Sequence, residues 1–231
     1  MLKTIEDNLN KRKSTWLDQL SLKQSTPKAN LPKAAVLIAI TDEESPEIIY
    51  TLRSNKVSSH QGEVSFPGGM QEDSDKDLTM TALRESEEEI GLPRECVNIL
   101  GSLDTMVSRF NISVTPFVGI IPPDIELNSS SEEIQACFNV PLSFLLEDKR
   151  YRNDEVNRNG QTFYMPAYKY SSYIIWGLTA MITVNFLNRA LDTRIDMSLP
   201  SKIEGEEGRS LILRNLLLRQ TEIILTLLNL R

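Results

Sequence analysis

Arg84-Glu85-Ser86-Glu87-Glu88-Glu89-Ile90-Gly91-Leu92 holds the densest chemistry in the chain. On a helix Glu85, Glu88 and Glu89 stand at i, i+3 and i+4, so their carboxylates share one face. Like charges at that spacing oppose a helix by about 0.2–0.5 kcal/mol per pair, and the macrodipole disfavours anions in the last turn. A divalent cation reverses the sign of both penalties. Arg84, one helical turn before Glu88, can hold that carboxylate in place. A run of glutamates alone is more often a solvated acidic face than a site. The Phe66-Pro67-Gly68-Gly69 turn just upstream changes that balance, because glycines let backbone approach a metal or phosphate closely. Either feature alone is ordinary; together they make a compact cradle for a metal and a diphosphate.

Composition narrows the chemistry further. The chain has 231 residues with 40 % apolar and 25 % charged side chains, enough for one sizeable core with extensions. A net charge of −7 gives no general attraction for nucleic acid or anionic lipid, so neither is an expected partner. Two cysteines, Cys96 and Cys137, and one histidine, His60, exclude a four-ligand Cys/His zinc site and a disulfide framework. A bound metal must therefore take mainly carboxylates, which favours Mg²⁺ or Mn²⁺. The longest apolar run, Tyr173 to Leu187, is too short and too interrupted to span a bilayer. Neither a secretory leader at Met1–Asp7 nor a peroxisomal address at Asn229-Leu230-Arg231 is present, so the cytoplasm is expected, with peroxisome or mitochondrial matrix as alternatives.

These residues need elements to position them. Helical spacing and Gly91 as a stop predict a helix from about Asp75 to Ile90, capped by Ser74 with Asp77 three residues on. Strands are predicted at Ala34–Thr41, Ile48–Arg53, Val97–Met106, Ile112–Ile121 and Phe163–Tyr170, with alternation also over Glu63–Phe66. Further helices are predicted over 4–24, 175–191 and 209–230. Strands around one central helix, with later helices, imply an α/β layered domain.

The pattern resembles the signature of Nudix hydrolases, G-x5-E-x7-R-E-U-x-E-E-x-G-U, with U aliphatic. Gly69 matches its first glycine, and Arg84-Glu85, Glu88-Glu89, Gly91 and Leu92 match its second half. The gap from Gly69 to Arg84 is one residue longer, the early Glu position falls on Lys76 between Asp75 and Asp77, and Ser86 replaces an aliphatic residue. Upstream, Thr51-Leu52-Arg53-Ser54 and His60-Gln61-Gly62 before Phe66-Pro67-Gly68-Gly69 look like the additional motif of the coenzyme A diphosphatase branch, with Val57-Ser58 where Leu-Arg is usual.

The resemblance implies an α/β Nudix fold with a mixed sheet sandwiched between helices. It implies metal held by Glu85, Glu88 and Glu89, with Gly69 at the substrate and its carbonyl a further donor. Glu88 and Glu133 are the expected catalytic carboxylates, Glu133 as base or additional ligand with Glu132 second; Arg53 and His60 are expected at substrate. The implied reaction is hydrolysis of coenzyme A to 3′,5′-ADP and 4′-phosphopantetheine. The alternatives are ADP-ribose or another nucleoside diphosphate derivative as substrate, or a catalytically silent ligand-binding module. The implied organisation is a helical extension and linker over 1–30, the hydrolase domain over 31–195, and a helix over 196–231 that packs on the domain or on a homodimer partner.

Overall fold

β1 (Lys33–Thr41) sends Ala34, Ile38 and Ile40 into one core cluster and Ala35, Leu37 and Ala39 into another. A strand apolar on both faces belongs inside a sheet that is covered on both sides. The computed structural model, which describes residues 2–11, 31–54, 62–128, 132–158 and 160–197, has that arrangement.

β1 runs parallel to β7 (Ser113–Ile121) over its whole length, from Lys33 opposite Ser113 to Thr41 opposite Ile121. Its other edge is divided. Ile40 pairs with Ile48 of β2 (Glu47–Arg53), whereas Ala34, Ala35 and Val36 pair with β4 (Gly68–Met70). β3 (Val64–Ser65) stays on β2, so the chain crosses from one strand to the other through Phe66-Pro67. The Leu37 N–H donates to the Pro67 carbonyl at 2.8 Å and fixes that crossing. Consequently Gly68 and Gly69 lie where β2 parts from β1.

β5 (Asn98–Ser102) and β6 (Met106–Val107) pair with β7, and β8 (Ile134–Pro141) pairs with β2, completing an eight-stranded mixed sheet. α2 (Leu78–Ile90) covers one face through Ala82 and Ile90. On the opposite face lie α1 (Leu2–Lys11) and α4 (Gly177–Ala190), with Ile5, Leu9, Val184 and Phe186 buried against the sheet. The short α3 (Leu142–Leu146) leads to a second sheet of β9 (Arg152–Arg158), β10 (Gln161–Tyr170) and β11 (Tyr173–Ile175). The α/β class and the sandwiched mixed sheet are as the sequence implies.

Several boundaries differ. The central helix starts at Leu78, and its N-cap is Asp77, not Ser74: the Asp77 carboxylate accepts the Met80 N–H at 3.0 Å. The 71–77 segment is held out of the helix because Asp75 is claimed by other partners, as described below. The strand expected over 97–106 is split, since the β5–β7 register shifts between Ile99 and Gly101 and Leu103 turns into the core. β8 and β9 were not legible as strands. Residues 12–24 of the first predicted helix, and all of the one over 209–230, lie outside the described residues. Among the described residues no helix is long and apolar enough to cross a membrane.

Candidate active site

α2 lies against β1 and β4, and its anchor is an arginine. Arg84 Nε and Nη2 donate to the two carboxylate oxygens of Asp75 at 3.0 and 3.1 Å, and Nη2 also donates to the Met70 carbonyl at 3.0 Å. Asp75 accepts as well from Thr81 Oγ1 at 2.9 Å and from the Glu72 N–H at 3.0 Å. The Arg84 guanidinium holds the Asp75 carboxyl well below the usual carboxylate range. The same guanidinium reaches Glu85 Oε1 and Glu88 Oε2, each at 3.1 Å. Asp75 thus does what the misaligned acidic position left open: it ties the loop after β4 to the helix.

Two of the three predicted acids turn inward. A Cβ added to Gly69 would stand 2.4 Å from Glu85 Oε1, so glycine lets this backbone meet that carboxylate where it stands. The Gly68 N–H donates to Glu89 Oε2 at 3.1 Å. Burial pushes the Glu85 carboxyl up, and pushes Glu89, whose side chain is 7 % exposed, up to about 7; the Gly68 bond and Arg53 pull Glu89 the other way. Gly91 caps the helix in the left-handed region at φ +66°, so α2 ends directly after Glu89 and Ile90.

Arg53 closes the third side. The β2–β8 register shifts between Leu52 and Arg53, and the Ser54 N–H donates to the Glu133 carbonyl at 2.7 Å, which brings the start of β8 beside Arg53. Arg53 Nη1 stands 3.5 Å from Glu89 Oε1, and Nη2 donates to Glu133 Oε2 at 3.2 Å. Its Nε is buried and has no hydrogen-bond partner.

Arg53, Gly69, Glu85, Glu89 and Glu133 therefore meet in one cleft. Glu88 stands at its outer edge, 60 % exposed and held by Arg84. Glu132 is exposed. His60 lies outside the described residues. Among the described residues no three acidic, thiol or imidazole side chains converge closely enough to enclose an ion. Sequence reasoning missed Asp75 as the anchor of Arg84, although an acid beside the expected position was the available signal. It also missed Thr81, whose role no motif announces. Phe66 is buried and tilted onto Tyr50 with ring centroids 4.7 Å apart.

Comparison with known proteins gives one family. The NUDIX domain model matches residues 31–158. The chain is 42 % identical over 149 residues to the uncharacterized Nudix hydrolase NudL of Photorhabdus laumondii, covering 64 % of this chain and 80 % of that one. It is 40 % identical over 160 residues to the protein of the same name from an Enterobacter species, covering 69 % and 83 %. A MutT/nudix family protein from Enterococcus faecalis, known by crystal structure, aligns over 81 % of this chain and 73 % of its own with 13 % identity and a TM-score of 0.49.

Proposed function

Because the chain belongs to the Nudix hydrolases, enzymes that cleave pyrophosphate bonds, we propose that its substrate is coenzyme A, hydrolysed to 3′,5′-ADP and 4′-phosphopantetheine. The observation that carries the site assignment is the contact of two inward carboxylates, Glu85 and Glu89, with the backbone of Gly69 and Gly68.

The donors fit a hard divalent cation. They are carboxylate oxygens, two of them raised in pKa by burial and so in need of positive charge, beside a backbone that no side chain blocks. Glu85, Glu89 and Glu88 would hold Mg²⁺ or Mn²⁺ once Arg84 and Arg53 yield part of their hold. Such an ion, when bound, would supply positive charge for the phosphoryl oxygens and for activation of the attacking water. Glu133, at the open side of the cleft, takes the proton of the attacking water as the new P–O bond forms and the bridging P–O bond breaks. Arg53 meets a phosphate oxygen with the charge-assisted donors of its Nη1 and Nη2. Asp75 and Arg84 do no chemistry; they keep α2 and the glycine loop in register. We place the enzyme in the cytoplasm.

The substrate assignment draws on the Thr51-Leu52-Arg53-Ser54 and Phe66-Pro67-Gly68-Gly69 motifs, which flank the cleft in sequence and meet in space. Product identification after incubation with coenzyme A, ADP-ribose and NADH, in Mg²⁺ or Mn²⁺, tests it. Release of 3′,5′-ADP at the highest kcat/KM supports the reading. Preference for ADP-ribose would overturn the substrate and leave the site intact, and no turnover on any of the three would remove the coenzyme A reading altogether.

A further inference from the structure

The face of β2 that carries Arg53 also carries Thr51 and Ile49, since alternate residues of a strand share a face. The partner strand continues it: Cys137 stands opposite Thr51, and Asn139 opposite Ile49. This row runs from the acidic cleft into a cavity of about 220 Å³. Its wall is mixed: Ile49, Ile121, Pro123, Ile125 and Leu127 line it together with polar groups, Thr41 and Asn139 among them, and Cys137 lines it on the way to the cleft. The Cys137 thiol is close enough to the cleft to feel the charge of Glu89. Four steps along the strand lead from Ile49 to Arg53, about 13 Å.

The lining chemistry is selective. Among the described residues no lysine or arginine lines the cavity, and its polar side chains Thr41 and Asn139 both bond Glu47, through the Glu47 N–H to Thr41 Oγ1 and Asn139 Nδ2 to Glu47 Oε2, each at 2.8 Å. A wall of aliphatic side chains and uncharged polar groups, with an acid at its edge, disfavours a phosphate and favours a neutral chain that carries amides between aliphatic segments.

We propose that this cavity receives the uncharged arm of the diphosphate substrate, the pantetheine chain of coenzyme A, while the arm bearing the additional phosphate lies on the Arg53 side. The inference rests on the coenzyme A reading above. Pantetheine is flexible, long enough to leave the cleft along the β2–β8 row, and without charge beyond its phosphate. Asn139 and Thr41 offer an amide and a hydroxyl to its two amide groups. The two products of hydrolysis are the two arms, so each can be tested alone.

Leu127→Trp and Ile125→Trp fill the cavity from a loop position where both residues are half-buried, outside the catalytic cleft. Leu127→Ala removes contact without adding bulk and serves if a tryptophan variant does not fold. Calorimetric titration with 4′-phosphopantetheine and with 3′,5′-ADP, in Mg²⁺, is compared across the wild type and variants. The tryptophan variants should weaken 4′-phosphopantetheine at least tenfold and Leu127→Ala at least threefold, with 3′,5′-ADP unchanged within twofold. The KM for coenzyme A should rise while kcat holds. Unchanged 4′-phosphopantetheine affinity, or equal loss for both fragments, overturns the cavity assignment while wild-type turnover of coenzyme A leaves the substrate reading standing. A wild type that does not hydrolyse coenzyme A removes that reading and this inference together.

Discussion

Glu89 stands at the meeting of two demands. It is buried, which favours its neutral form, yet its proposed task needs the carboxylate. A carboxyl raised to about 7 in the folded protein stabilises the fold below its unfolded value and loses that contribution as pH rises through 7. In a chelator, Glu89→Gln should therefore be more stable than wild type at pH 8 by roughly 3 kcal/mol, with the gap closing towards pH 4; urea titrations at the two pH values check this. The same variant with saturating Mg²⁺ should lose at least ~10²-fold in turnover, since electrostatic contributions of this kind supply about 3–4 kcal/mol. Near-wild-type turnover would show that this carboxylate is not a ligand. Gly69→Ala tests the neighbouring contact. Its methyl would overlap the Glu85 carboxylate, so activity should fall at least tenfold, about 1.4 kcal/mol in the barrier. In a Glu85→Ala background the added methyl should cost little, and an equal cost in both backgrounds would place the strain elsewhere.

At the scale of the element, α2 is set by its anchor more than by its own helical propensity. Asp75 joins Arg84, Thr81 and the Glu72 N–H, and Arg84 extends the same network to the Met70 carbonyl on β4. Helix and glycine loop are therefore fixed relative to each other by one half-buried pair. Asp75→Asn keeps the shape and removes the charge. It should lower stability at pH 7 by about 1.5–3 kcal/mol, the range for a charged hydrogen bond. Because the Asp75 pKa is depressed in the fold, the wild-type advantage is full above the unfolded carboxylate value and should shrink as pH falls below about 4. Thermal melts of both proteins at pH 7 and pH 3 measure it. A constant difference across that range would mean that the charge of Asp75 is not what matters.

For the whole molecule, Glu85, Glu88 and Glu89 share one helix, but only the fold sets Glu85 and Glu89 against the Gly68-Gly69 backbone, so binding a cation should be linked to global stability. Mg²⁺ or Mn²⁺ should raise the Tm of the wild type, following RT ln(1 + [L]/Kd). The triple change Glu85→Gln, Glu88→Gln, Glu89→Gln should abolish the shift, and an equal shift in both proteins would place the ion elsewhere. The face of the sheet away from the cleft contributes stability instead. Ile5 of α1 is fully buried against β5 and α4, with the Asn8 side chain donating to the Ala190 carbonyl at 3.0 Å. Ile5→Ala should cost about 2–5 kcal/mol, with kcat at 25 °C unchanged in the folded fraction. A matching fall in kcat would mean that this helix reaches the site.

The sequence by itself determined what depends on neighbours along the chain. Helical spacing puts Glu85 and Glu89 one turn apart, Gly91 stops the helix, and the alternation of β2 and the two-sided burial of β1 follow from side-chain type. The chemistry of the acidic helix and the glycine loop was legible for the same reason. Tertiary structure decided what depends on distant partners. β9, Arg152–Arg158, is polar except at Val156 and is a strand because β10 supplies the ladder. Asp75, not Ser74, controls the entry to α2, because Arg84 and Thr81 compete for its carboxylate and leave Asp77 to cap. Nothing in the local sequence makes Glu88 face outward while Glu89 is buried, or sets Arg53 between Glu89 and Glu133. Those outcomes need the β1 edge to divide and β8 to dock on β2, contacts between residues tens of positions apart whose energies no local pattern encodes.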